Sequence, residues 1–149
     1  MPDPLPPWVA DYVGLPWKVL GRDRDGLDCY GLVRLVLAEK FAITLPALDG
    51  GWTNERRVLD LDRLAAFIGG AVAECCAHHR WHAVDSADAP RAADVAKFLL
   101  HGRPIHVGLV VGQTWFLHVR EGADSAVERL DGRMWRTRLI CLYRHGSLA

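Results

Sequence analysis

The 149-residue chain is 50% hydrophobic and balances 18 lysines and arginines against 18 aspartates and glutamates, for a formal net charge of zero. That suits one compact domain over residues 1–149 with a core of its own, and a neutral chain without a basic block lacks the electrostatic footprint of a nucleic-acid binder. No apolar run reaches the ~20 residues of a membrane helix, and the opening Met1-Pro2-Asp3-Pro4-Leu5-Pro6-Pro7-Trp8 has neither the basic nor the apolar region of a secretory signal, so synthesis in the cytoplasm without export by a signal peptide is expected.

In chain order, the prolines hold the first residues extended, and Trp8, Val9 and Tyr12 predict a short helix ending at Gly14. Leu15 to Leu20 reads as an extended approach to the turn-forming run Gly21-Arg22-Asp23-Arg24-Asp25-Gly26, a solvated charged loop. Asp28 then has the character of an N-cap, and Leu32, Val33, Val36 and Leu37 repeat on one face, so a core-facing helix is predicted from Cys29 to about Lys40. Phe41 to Pro46 leaves that helix, and Asp49-Gly50-Gly51 turns. From about Asn54 to Arg80 the pattern is helical again, with Gly69-Gly70 a break or kink. Trp81 and Val84 pack back onto the core, and Asp85 to Pro90 is a loop.

The final third changes period. Asp94 to Leu100, His106 to Val111, Thr114 to Val119, Ser125 to Leu130 and Arg138 to Arg144 read as strands. His101-Gly102-Arg103-Pro104 turns, and Gly112-Gln113 is a two-residue hairpin. Helices followed by short-looped strands predict an α+β domain whose C-terminal antiparallel sheet has about five strands.

Cys29 falls in the first turn of its helix, where the dipole and unpaired N–H groups favour the thiolate, the nucleophilic form. On position alone it is equally a small buried hydrophobe, and it needs a histidine to become a nucleophile. His106 and His118 lie on adjacent predicted strands. With the turn on Gly112-Gln113, His106 stands opposite Val119 and one residue from His118. That offset puts the two rings on opposite faces, unless a bulge or another register intervenes. Each histidine taken singly is an ordinary strand-end residue. Together they offer His106 as a general base for the thiol and His118 as the residue that orients it, with helix-head N–H groups facing an oxyanion.

Asp28-Cys29-Tyr30-Gly31-Leu32-Val33, Ala93-Asp94-Val95 and His106-Val107-Gly108-Leu109-Val110-Val111-Gly112, with His118 following, resemble in order the motifs of the NlpC/P60 family of cysteine peptidases. The resemblance implies a papain-like fold with Cys29, His106 and His118 as catalytic residues. It also implies hydrolysis of amide bonds in peptidoglycan stem peptides, of the D-γ-glutamyl–diamino acid type, with no cofactor. Trp17, the stretch Gly26 to Glu39 with Tyr30 after the cysteine, Phe41 to Pro46 and Tyr143-Arg144-His145 further resemble the phage tail-associated and gene-transfer-agent branch. That implies tail proteins as partners and a role in local wall opening. Two residues depart from the common pattern. Trp17 stands where many members carry a tyrosine and can only donate from its indole, and Tyr30 replaces a serine and reshapes the cleft. Asp28 caps the helix and is also in place to meet a substrate's free amine.

Alternatives stay open. The same site could perform deamidation or acyl transfer, or the fold could serve as a non-catalytic tail-tip or adaptor module. Cys75, Cys76, His78, His79 and His82 form a competing cluster, with Cys75, His79 and His82 on one expected helix face. It lacks a second ligand group at metal-finger spacing, and no metal site is assigned. Trp52, Trp81, Trp115 and Trp135 read as core or cleft-wall residues, and Cys141 as a core cysteine.

Overall fold

The computed structural model describes residues 4–46 and 61–148. Asp49-Gly50-Gly51, Trp52 and residues 54–60 of the second predicted helix lie outside them. Pro7–Tyr12 forms the expected short helix, as a 3-10 turn. Where a solvated loop was expected, β1 (Arg22–Asp23) and β2 (Gly26–Leu27) form a small antiparallel hairpin. Its arginines are engaged: Arg22 pairs with Asp28 at 2.7 Å, and Arg24 donates to both oxygens of Glu39 at 2.9 and 3.0 Å.

Helix α1 (Cys29–Phe41) begins and ends close to the predicted bounds. Asp28 Oδ1 accepts the Gly31 N–H at 2.6 Å, which satisfies one orphan donor of the first turn. Ala42 in the left-handed conformation (φ 53°) ends the helix. Leu32, Val33, Val36 and Leu37 are each at most 1% exposed, and burying each is worth roughly 1.5–3 kcal/mol. The second helix, α2 (Leu61–His78), runs unbroken through Gly69-Gly70. A Cβ at either glycine would meet nothing within 4 Å, so neither marks a packing contact or kink.

The main sheet has six strands, one more than expected. They are β3 (Trp81–Ala83), β4 (Val95–Leu100), β5 (Arg103–Val110), β6 (Trp115–His118), β7 (Ala126–Arg129) and β8 (Leu139–His145), in the order β3-β8-β4-β5-β6-β7 with every neighbour antiparallel. The extra strand is the three-residue β3. A short helix, α3 (Arg133–Arg136), connects β7 to β8. The α+β architecture is therefore as predicted.

Each face of the sheet has its own core. Val107, Leu109, Leu117 and Val119 join the buried face of α1. On the other face Phe98, Val110, Phe116 and Leu142 pack with Trp135 of α3. Both β5 hairpins differ from expectation. His101 and Gly102 adopt φ of 52° and 74° in a tight turn, so β5 opens at Arg103. At its other end three residues, Gly112 to Thr114, make the turn, closed by the Val111 N–H donating to the Trp115 carbonyl at 2.9 Å.

Two buried polar links hold the layers. Ser125, 2% exposed, donates its hydroxyl to the Tyr12 carbonyl and accepts the Leu15 N–H at 2.8 Å, stitching the N-terminal segment to the loop before β7. Asp94 accepts two 2.7 Å bonds from Arg144 Nε and Nη2, with side chains 0% and 7% exposed. Removing one member strands the other charge in the interior, which costs about 3–5 kcal/mol. Asp94→Ala should therefore lower the melting temperature by roughly 10 °C, measured by calorimetry; an unchanged melting temperature would show that the pair carries no stability.

Candidate active site

Cys29 opens α1, and the chain is packed tightly around it. The Gly21 carbonyl sits so close that a Cβ at Gly31 would lie 2.0 Å from its oxygen, so only glycine lets the preceding loop lie across the first turn. Trp17 bridges to Leu27, and the Tyr30 hydroxyl donates to the Pro46 carbonyl. Trp17, Asp28, Cys29 and Tyr30 all line one cavity of about 660 Å³, and His106 lines it from β5. Five of the six residues singled out from the sequence thus share one cavity of ligand-binding size.

The sixth, His118, stands directly behind His106. Pairing of Leu109 with Leu117 and of Val110 with Phe116 carries on to set Gly108 beside His118. This register is one residue away from the expected one, because the turn has three residues rather than two. His106 and His118 therefore project from the same face as a diagonal pair, and the expected conflict disappears without a bulge. His106 Nε2 lies 2.8 Å from His118 Nδ1, with both rings at most 3% exposed. Gly108 keeps the diagonal open, since a Cβ there would lie 2.8 Å from the Phe116 ring and 3.3 Å from His118 Cβ.

Aromatic rings wall the histidine pair. His106 stacks on Trp135 at 5.5 Å, and His118 meets the same indole edge-on at 4.9 Å, with Phe98 and Phe116 beside them. This surrounding sets the charge states. Burial pulls His106 down to about 3, and the neighbouring His118 and Arg120 act in the same direction. His118 is likewise lowered by burial, in spite of a carboxylate partner. Burial pushes the Cys29 thiol up to about 12 and the Asp28 charge adds to it, against the N–H groups of Val107 and Tyr30 and the Arg22 guanidinium. Burial thus favours a neutral thiol and a neutral imidazole at rest, against the thiolate that the helix head alone favours.

Glu128 and Arg120 at this site escape a sequence reading, as does the short helix that carries Trp135. Glu128 on β7 binds His118 Nε2 through Oε2. Trp135 sits on a four-residue helix too short to show periodicity. Arg120 lines the cavity and stands over the Trp135 ring at 5.7 Å. The competing cluster comes apart. The second helix ends at His78, His82 lies on β3, and His79 approaches Glu74 at 4.0 Å, so Cys75, His79 and His82 share no helix face. Among the described residues no group of three or more histidine, cysteine or acidic side chains could hold a metal ion. Trp81 and Trp135 are buried, as expected of core residues, whereas Cys141 is only half-buried.

The fold has relatives among solved structures. The NlpC/P60 domain of the peptidoglycan hydrolase SagA is similar with a TM-score of 0.53 and 18% identity, over 91% of this chain and 92% of that one. An NlpC/P60 family protein from Bacillus cereus ATCC 10987 gives a TM-score of 0.59 and 19% identity, over 95% of this chain and 41% of that one. A protein similar to lipoprotein of the NLP/P60 family from Staphylococcus aureus Mu50 gives 0.55 and 21%, over 90% and 37%. The chain thus spans about two fifths of the length of the last two. No curated protein sequence matches it. The sequence profile of the NlpC/P60 family matches residues 14–144, nearly the whole chain, and the chain belongs to that family.

Proposed function

We propose that this chain is a cysteine peptidase that hydrolyses amide bonds in peptidoglycan stem peptides, between a D-γ-glutamyl residue and a diamino acid. The observation that carries this reading is the joint presence of Cys29 and His106 on the walls of one cavity, with His106 tied to His118 behind it. His106, through the Nδ1 that His118 does not engage, takes the thiol proton as the sulfur attacks the carbonyl carbon. Backbone N–H groups at the head of α1 meet the oxyanion. The imidazolium then protonates the leaving amine, and water releases the acyl group from the thioester with His106 again as base. His118 orients the ring throughout. Asp28, held by the Gly31 N–H and Arg22, acts first as a cap, and its place on the cavity wall suits a substrate amine.

The substrate class is supported by the similar SagA domain, whose parent is described as a peptidoglycan hydrolase, and by Arg120. That guanidinium lines the cavity, rests over Trp135, and forms no salt bridge among the described residues. A D-γ-glutamyl residue presents a free α-carboxylate, which an arginine is suited to bind. The setting we infer is a phage-like tail that opens the wall locally. Of the stretches resembling that branch, Trp17 and the head of Gly26 to Glu39 line the cavity, and Tyr30 reaches the Pro46 carbonyl.

A second reading has one observation in its favour. Burial pushes the thiol toward its protonated form, which a structural tail-tip module without turnover would also tolerate. Digestion of purified wall fragments separates the two. The peptidase reading predicts release of new amine termini by the native chain and none by Cys29→Ala, with the same circular dichroism spectrum; equal release by both would reject the mechanism. Arg120→Ala should raise KM about tenfold for fragments with a free glutamyl α-carboxylate, the worth of one lost charged hydrogen bond, and raise it much less for α-amidated fragments. The neutral pair also sets a pH dependence. Alkylation of Cys29 by iodoacetamide, followed by peptide mass mapping, should be slower at pH 7 than that of a free cysteine of ordinary pKa ~8.5, and should still be rising at about pH 10. A plateau reached already near pH 6 would point to a resting ion pair instead.

A further inference from the structure

We propose that Glu128 is a positioning residue that fixes which nitrogen of each histidine carries the proton, and so keeps the Nδ1 lone pair of His106 for the Cys29 thiol. The proposal rests on the peptidase reading for its consequence, though not for its geometry. The three side chains climb across neighbouring strands. His106 on β5 meets His118 on β6, and His118 Nε2 meets Oε2 of Glu128 on β7. In the β6–β7 register Glu128 pairs with Phe116 and His118 with Ala126, so Glu128 is a same-face diagonal neighbour of His118. Each step repeats the same offset.

The direction of the proton chain follows from what each group can do. Burial works against the charged form of Glu128, yet the nearby Trp135 indole and the His118 imidazole outweigh it and hold the carboxyl below its usual range. An ionised carboxylate only accepts hydrogen bonds. His118 must therefore carry its hydrogen on Nε2. Its ring is neutral, since burial resists the charged form, so its Nδ1 is a bare acceptor. The contact between the two rings is then donated by His106 Nε2. A neutral imidazole has one N–H, which leaves His106 Nδ1 with a lone pair.

Without Glu128 the reverse polarity satisfies the ring pair equally well. His118 would donate from Nδ1 to His106 Nε2, and the His106 proton would sit on Nδ1, facing the thiol with nothing to accept. The two chains differ by no contact between the histidines themselves. Only the carboxylate at the end chooses between them, since water, which both donates and accepts, would satisfy either polarity.

The Glu128 side chain is 40% exposed, so it can be replaced without opening the core. Imidazole nitrogen spectra of the full chain labelled with ¹⁵N-histidine report the tautomers directly and need no substrate. In the native chain His106 and His118 should both show hydrogen on Nε2. In Glu128→Ala the His118 signals should move to a mixture of tautomers, and kcat on wall fragments should fall about 10–100-fold at unchanged KM, the usual effect of losing the partner that orients a functional histidine. Glu128→Gln, which still accepts through Oε1, should restore most of the native spectrum and rate. Hydrogen on Nδ1 of native His118, or identical spectra in the native and Glu128→Ala chains, would overturn the proposal. Because the spectra are read without turnover, that failure is distinct from failure of the peptidase reading, which the Cys29→Ala digestion reports.

Discussion

Two imidazoles buried side by side among aromatic rings impose a demand that the surrounding chain is arranged to meet. Each ring has a donor and an acceptor nitrogen, and leaving either unpaired away from water costs about 1–3 kcal/mol. The hairpin of β5 and β6 meets that demand through its register. It brings His106 and His118 to the same face two residues apart along the ladder, where Nε2 and Nδ1 come within 2.8 Å. A slip of one residue would turn His118 to the α1 face of the sheet, away from His106 and without a partner. Gly108 belongs to this arrangement, because any side chain there would push the Phe116 ring aside and close the diagonal.

The helix head answers to a different balance. The dipole and the first-turn N–H groups favour a thiolate by about 0.3–1 kcal/mol each. Burial pushes the thiol the other way, up to about 12, and the Asp28 charge adds to it. Burial therefore wins, and Asp28 opposes ionisation further while it caps the helix. The same residue that organises the first turn thus holds the sulfur in its unreactive form. In the proposed peptidase, proton transfer to a buried, neutral base would accompany attack, because burial favours the uncharged form of both partners.

Much of this was legible in the residues. The N-cap Asp28 and the spacing of Leu32, Val33, Val36 and Leu37 mark α1 because a long amphipathic helix writes its period many times over. The strands that carry His106 and His118 show the period of two for the same reason. What stayed hidden depends on one residue more or less, or on elements with too few residues to show a period. Thr114 in the turn shifts the hairpin register, and neither propensity nor pattern distinguishes a two-residue from a three-residue turn at Gly112-Gln113-Thr114. The four residues around Trp135 and the three of β3 are too short to declare themselves. Gly69-Gly70 suggested a kink because glycine is costly in a helix, but the pair lies on an open flank where nothing exploits the flexibility. Glu128 looks like any polar residue on an outer strand. Only its alignment with Phe116 gives it meaning.

That outer strand has a consequence of its own. β7 closes one side of the sheet, with a partner on β6 and none beyond it among the described strands. Half of its backbone ladder therefore faces outward, and such margins fray more readily than the interior of a sheet. The carboxylate at the far end of the histidine row rides on this margin while the sulfur sits at the protected head of α1. A segment that zips onto the open border of β7 would steady Glu128, and one that peels it back would release His118. The histidine pair on the two strands inward is in this way tethered to an open margin of the sheet.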